Sequence, residues 1–463
     1  MNSYNANNIF SLQYLTLSLP FLIITGPFLS DFIVSLMAIY LIFQIKNVLI
    51  DKKFQYLFLF FSLFYILVNV SNFFSSYVNL NINSIFYFRF FLFSFSFILI
   101  IKDPVFFFKC LSIITGSLFI ILFIDSVFEF FFHKNILGYD NLYPNRVSSF
   151  FKDELVLGSY TVRLLPILIG STIFVLNKNK KYVKSAFIIF ITIGLILILL
   201  SGERTSILLF LIFILYLTIF WKTKFLLKLI LVAIIPLFFI FTFSKEIRNR
   251  FLIEPLIQFN FVDQKTLKEK KIIDDKDFGY PEYTLKKRDL YIFSVHHHKH
   301  YLSAWKIFKE YPIIGAGAKS FRFACKKDKF HIYSIYDWEY KIYTPTLDGF
   351  SEPLNTACST HPHNTHVQIL SELGLLGYFF LLSIIFMIVF FSIKIKKNKL
   401  TFKYPYMKDL TIFLLGACFM NLWPIAPSGN FFNNWLSILY YFPFGLLLYC
   451  FSQRVKKNLP ISR

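Results

Sequence analysis

About twelve apolar blocks of roughly twenty residues, parted by short polar connections, constrain this chain more than any other feature. They run near 9–28, 31–47, 54–73, 84–101, 107–132, 155–176, 183–200, 205–221, 225–243, 365–393, 408–427 and 434–451. Twenty apolar residues in a helix cross a hydrocarbon layer about 30 Å thick. A segment in that layer must satisfy its own backbone hydrogen bonds, so helices are expected. Transmembrane strands would alternate in polarity, and runs such as Phe187 to Leu200 do not. Only 16% of the residues are charged, against about 25% in soluble proteins. That excludes a soluble enzyme, a disordered chain and a disulfide-dense secreted module. The expected fold class is an all-α polytopic membrane protein, with one large loop between spans nine and ten. No internal repeat of the kind found in many secondary transporters is present.

The formal charge of +22 could suggest nucleic acid, but its distribution follows alternate connections. One set carries Lys52 and Lys53, Lys102, Lys178 to Lys184, Lys222 and Lys224, Lys394 to Lys399, and Arg454 to Lys457. The other short connections are nearly bare. This positive-inside pattern puts both termini in the cytoplasm and predicts no nucleic-acid partner. Three regions follow: spans one to nine in 1–243, a periplasmic loop in 244–364, and spans ten to twelve with a tail in 365–463. Met1 to Asn8 hold no Lys or Arg, so the first block reads as a retained helix, not a cleaved signal. Of the five cysteines, Cys110, Cys418 and Cys450 fall within spans. Cys325 and Cys358 share the outer loop, where an oxidising compartment favours a disulfide.

Charged residues inside spans are costly and point to function. Arg89 lies in span four, Asp125 and Glu129 one turn apart in span five, and Arg163 in span six. Arg204 starts span eight, and Arg146 and Lys152 precede span six. The topology brings all of them to one depth on the outer side, where they are expected to line a cavity. Each has a structural alternative: Arg89 can snorkel, and the acids can pair with an arginine to hold the bundle. The outer loop ends in His361, Pro362, His363, Asn364, Thr365 and His366, and runs on into span ten. In a helix from Asn364, the residues Asn364, Gln368 and Glu372 share one face. His363 at its head is a candidate base, because an imidazole can accept a proton near neutral pH.

Other signals are weaker. The tract His296 to His300 resembles a metal run, but in a charged loop it reads as solvated. His361, His363 and His366 lack a Cys or carboxylate to complete a zinc set in sequence. Asp275 and Asp277 lie in a charged insertion near 265–287. No P-loop occurs, so no nucleotide cofactor is expected, and no metal.

Several of these segments resemble the O-antigen ligase and polymerase superfamily of bacterial integral-membrane glycosyltransferases. His363 and Asn364, then nine residues, then Gly374 and Gly377 are similar to the ligase signature. Tyr378 and Phe379 stand where that signature continues with two Thr, which leaves ligase and polymerase both open. The run from Trp305 through Pro312 to Gly315, Ala316 and Gly317 resembles the family's outer-loop segment, as do Arg146 to Leu155 and Ser201 to Arg204.

The resemblance implies transfer of a glycan from undecaprenyl diphosphate to a sugar hydroxyl at the periplasmic face of the inner membrane. The acceptor would be lipid A–core in a ligase, or a second lipid-linked unit in a polymerase. It implies no cofactor, periplasmic arginines on the donor diphosphate, and a loop histidine as base. Here His363 and Arg204 would be catalytic, while Arg146, Arg163, Arg89, Asn364, Gln368 and Glu372 would bind substrate. Fixed guanidinium forks suit a diphosphate leaving group on physical grounds as well. A transporter of lipid-linked glycan, or a membrane zinc hydrolase using the three histidines, are the other classes compatible with the sequence.

Overall fold

A computed structural model describes residues 12–78, 82–141, 146–176, 180–221, 242, 245–253, 255–256, 295–332, 343–345, 351–353 and 358–455. Its first principal helices are α1 (Pro27–Val48), α2 (Lys52–Phe73), α3 (Arg89–Ile100), α4 (Pro104–Phe132) and α5 (Leu157–Leu176). There follow α6 (Lys180–Leu200), α7 (Arg204–Phe220), α8 (Val295–Glu310), α9 (Thr365–Lys396), α10 (Met407–Asn421) and α11 (Asn434–Ser452). Among the described residues, seven helices are long and apolar enough to cross a membrane: α1, α2, α4, α5, α6, α9 and α11. The chain is a helical, polytopic membrane protein.

Local chemistry sets the helix starts. Pro27 and Pro104 occupy first-turn positions, where their missing N–H costs nothing. Asp51, Asp103 and Asn433 accept hydrogen bonds from the exposed N–H groups of the turns they precede. The first expected span differs from a single helix: residues 12–17 and Leu19–Leu22 are helical, with a turn at Ser18 before Pro20. The eleventh stops at Asn421, because Trp423 precedes Pro424 and is turned away from helical backbone. Span nine, apart from Thr242, and the charged insertion at 265–287 lie outside the described residues.

Helix α5 is the hub, packing on α4, α6 and α10. Within its apolar stretch 83% of residues are buried, against 28% in α2 and α9. Lipid is as apolar as leucine, so α2 and α9 can leave apolar faces outward at no cost. Hydroxyls join helices inside the bundle, as between Ser112 and Thr172 at 2.6 Å.

One helix is broken, and the break positions everything at that end of the bundle. At Gly374 the backbone of α9 turns to φ 64° and ψ −161°. Leu375 and Leu376 donate their N–H groups to the carbonyls of Pro312 (2.8 Å) and Ile313 (3.2 Å). In return Ala316 and Gly317 donate to Ser371 and Glu372, both at 3.0 Å. The 312–317 turn thus replaces the helical partners that α9 gives up. Non-helical backbone at membrane depth is tolerated where protein satisfies it in this way. From α2, the Ser71 hydroxyl donates to Ile314 O (2.7 Å) and Glu372 O (3.0 Å), and Ser75 just past its end donates to Ala316 O. Beside this turn a disulfide joins Cys325 to Cys358, with Cα atoms 5.4 Å apart.

Only glycine fits the contact. A Cβ on Gly315 would lie 2.2 Å from the carbonyl carbon of Glu372, and one on Gly374 would lie 2.4 Å from that of Ile313. Both residues have positive φ as well. Gly315→Ala and Gly374→Ala are each expected to destabilise the protein by about 3 kcal/mol or more. Thermal unfolding of the purified variants in detergent checks this; an unchanged midpoint would mean that the turn does not hold α9.

Candidate functional site

His363 stands at the entrance to α9, in a left-handed conformation (φ 56°) after Pro362. Its carbonyl accepts the N–H of Ser428 at 2.9 Å. Asn364 caps α9 through Val367 N–H (3.0 Å), while its amide nitrogen donates to Pro424 O (2.7 Å) and Ala426 O (3.3 Å). The backbone around His363 is therefore tied on both sides. Its ring is not: neither nitrogen has a hydrogen-bond partner among the described residues.

Three other imidazoles surround that ring. The centroid of His361 is 4.1 Å away, that of His297 5.3 Å and that of His300 5.4 Å. His297 and His300 come from adjacent turns of α8, so these two members of a tract expected in a solvated loop instead pack on His363. His300 is only 6% exposed. His361 Nε2 faces the carbonyl of Ser428 at 3.2 Å, and Nδ1 faces the Thr360 hydroxyl at 2.8 Å. A carbonyl only accepts, so Nε2 carries a proton. Burial, then the neighbouring imidazoles, pulls His363 down to about 2. Burial likewise lowers His361 to about 4. His363 is thus an uncharged ring with lone-pair capacity at neutral pH. His366 points elsewhere, to Leu422 O at 2.9 Å. Among the described residues no three His, Cys, Asp or Glu side chains converge as metal ligands.

The polar stripe of α9 faces protein. Gln368 donates to Glu372 (2.9 Å) and Asn430 (3.0 Å) and accepts from Phe431 N–H (2.9 Å). Glu372, fully buried, accepts from the N–H groups of Lys319 (2.9 Å) and Phe321 (3.2 Å). With Asn364 as a helix cap, all three expected substrate ligands have protein partners. They join the 317–321 turn to α9 and the 424–431 segment.

The arginines divide. Arg89 makes a paired hydrogen bond to Asp31, with contacts of 2.9–3.0 Å, and Asn434 adds a third donor to that carboxylate. Its charge is neutralised within the bundle. Arg163, on α5, is 3% exposed. It donates to Ser159 O at 3.0 Å and to the Ser159 hydroxyl, and lies 6.0 Å from the Tyr440 ring. Its Nε has no partner, and no carboxylate pairs with it among the described residues. Arg146 donates to Ser201 O at 3.2 Å, and Arg250 to Gly202 O at 3.0 Å. Arg204 opens α7 directly after Glu203.

Glu203 accepts from Gly158 (2.8 Å) and Ser159 (3.2 Å), capping α5, and from the Ser206 hydroxyl (3.1 Å). Asp125 and Glu129 do the same for the 133–151 connection, accepting from Ile136 (2.8 Å), Ser148 (3.1 Å) and Ser149 (2.6 Å) N–H groups. The buried acids fix turns; they do not neutralise Arg163. Sequence reasoning missed Asp31, Lys319, Arg322, His297 and His300. The last two carried a signal, an i, i+3 pair in a histidine tract.

The depressed imidazoles give stability a pH dependence. Below 6.5 an unfolded histidine takes up a proton that folded His361 and His363 refuse down to about 4 and about 2. The unfolded state then binds more protons, so stability falls as pH drops from 6.5 towards 4. The melting midpoint should fall by several degrees across that window, and less so in His361→Gln. A midpoint independent of pH there would contradict buried neutral rings.

A family model described as O-antigen ligase matches residues 186–382. The match runs from within α6, through the Arg204 turn and the described part of α8, past the break at Gly374. No curated protein matches the chain. The arginine turn, the histidine at the head of α9 and the glycine-dependent break all fall inside the matched residues, and this part of the chain is similar to the O-antigen ligase family.

Proposed function

We propose that the protein is a ligase-type glycosyltransferase. It would move a glycan from undecaprenyl diphosphate to a sugar hydroxyl of lipid A–core, at the periplasmic face of the bacterial inner membrane. The observation that carries this reading is the pairing of two features at one end of the bundle: a neutral, unpartnered His363 ring and the uncompensated guanidinium of Arg163. Buried cations without carboxylates are expensive unless an anion joins them. A diphosphate is such an anion, and a lipid-linked one would arrive at membrane depth. The lysines of alternate connections support the orientation.

In this mechanism Arg163, Arg146 and Arg204 hold the donor diphosphate. The acceptor hydroxyl oxygen attacks the anomeric carbon from the opposite side as the bond to the diphosphate oxygen breaks. The bonding pair leaves with the diphosphate, whose growing charge the guanidinium groups stabilise. The hydroxyl proton passes to a nitrogen of His363. Attack opposite the leaving group inverts the anomeric centre. Asn364, Gln368 and Glu372 act by holding His363 and the 317–321 turn in place, and Arg89 by fixing α3 to α1. Residues 1–243 and 365–463 then serve as the membrane body, with 244–364 as the periplasmic loop.

A polymerase joining two lipid-linked units is the second reading, favoured by Tyr378 and Phe379 in place of the ligase threonines. A host lacking the gene separates the two on a surface-polysaccharide gel. Loss of all O-antigen bands with accumulation of lipid-linked polymer is expected of a ligase. Core carrying a single repeat unit would mean polymerase. Complementation with His363→Ala should fall short by about 10²–10⁴-fold in transfer rate, and with Arg204→Ala by about 10²-fold or more. Full rescue by either variant would remove that residue from the chemistry.

A further inference from the structure

The turn that Glu372 holds carries a second group of uncompensated donors. Lys319 sits there with φ 64°, and its ammonium makes no ion pair among the described residues. Three residues on, Arg322 keeps a buried Nε with no hydrogen-bond partner. Glu372 is within electrostatic reach of both. Its two oxygens, however, already accept from Lys319 N–H, Phe321 N–H and Gln368. Burial, then the charge of Arg322, pulls the Lys319 ammonium below its usual range.

Lys319 also lines a recess of about 10 Å³ with Asn72, Tyr87 and Phe432, room for one water-sized group or one oxygen of a larger anion. Asn72 is 1% exposed. Its Oδ1 accepts Ala318 N–H at 2.5 Å, which fixes the amide orientation, and Nδ2 has no partner. The recess offers an ammonium and an amide N–H, both donors, and the Arg322 guanidinium lies within electrostatic reach of Lys319. Donors without acceptors select an anion.

The turn's neighbours suggest which anion. Arg322 is within electrostatic reach of His361, whose ring lies 4.1 Å from His363. Arg163 belongs to a different group, on α5 near the Arg146 and Arg204 turn. We propose that Lys319, Arg322 and Asn72 form a second anion site that holds a phosphate of the acceptor lipid beside His363. This rests on the glycosyl-transfer reading above. The phosphate has two possible sources: the diphosphate of a lipid-linked acceptor, or a phosphate on lipid A–core. An anion there brings the acceptor hydroxyl to the base and favours the imidazolium that forms as the proton moves.

The test uses the full-length protein in nanodiscs, with lipid-linked donor and either acceptor, phosphorylated or enzymatically dephosphorylated. K319Q and R322Q should each raise the acceptor KM at least about tenfold and leave the donor KM within about twofold. N72D keeps the acceptor for Ala318 N–H but replaces the amide donor with a negative oxygen, and should do the same. The acceptor whose dephosphorylation abolishes these differences identifies the source. A rise in donor KM instead, or no change in either KM, overturns the proposal.

If the wild-type protein transfers no glycan to either acceptor, the functional reading itself fails. The anion site is then judged by thermal stabilisation with inorganic pyrophosphate in an Arg204→Gln background. A shift that disappears on adding R322Q supports the site, and absence of any shift overturns it.

Discussion

The exchange of backbone hydrogen bonds at Gly374 is the contact on which the rest of this end of the bundle depends. A membrane helix cannot stop hydrogen-bonding at depth unless another part of the chain supplies partners. Here the 312–317 turn supplies them, in both directions, and Gly315 and Gly374 permit the approach. Ser71 of α2 and Ser75 just past its end then grip the turn from the other side. The consequence is positional. The loop carrying Lys319 and Arg322 is locked to the helix whose first turn follows His363, so cations and imidazole keep a fixed relation.

Electrostatics divides the same end into two kinds of group. The buried carboxylates Asp125, Glu129, Glu203 and Glu372 all accept backbone N–H bonds and thereby shape turns. Arg89 is paired with the Asp31 carboxylate. Arg163 and Arg322 keep buried N–H groups unanswered. Acids tied to backbone and cations left open are what the proposed mechanism requires of a site for an anionic lipid. A bundle held by internal ion pairs would show the reverse.

The helices were legible in the sequence because length and hydropathy report directly on membrane depth. Boundaries failed where local backbone chemistry intervened, at Ser18 before Pro20 and at Pro424. His363 drew attention in the sequence because a histidine at a helix entrance has few structural duties. The stripe Asn364, Gln368 and Glu372 was correctly seen as one face, but not its direction. Whether such a face turns to a cavity or to a neighbouring turn depends on what packs there. That partner, Lys319 to Phe321, comes from about fifty residues earlier in the chain and leaves no periodic signal. Arg322 escaped notice for the same reason: in sequence it is one basic residue in a lysine-rich loop. His297 and His300 had the spacing of a helix face, and the polarity around them suggested solvent instead.

The central claim is that this membrane bundle makes a glycosidic bond at the expense of a lipid diphosphate ester. Purified protein in sealed liposomes, given labelled undecaprenyl-diphosphate glycan and acceptor on the loop side alone, tests it directly. The account predicts one free undecaprenyl diphosphate released for each glycosidic bond formed, with no added nucleotide. Movement of intact donor across the bilayer without release of diphosphate would contradict it, and would identify a transporter.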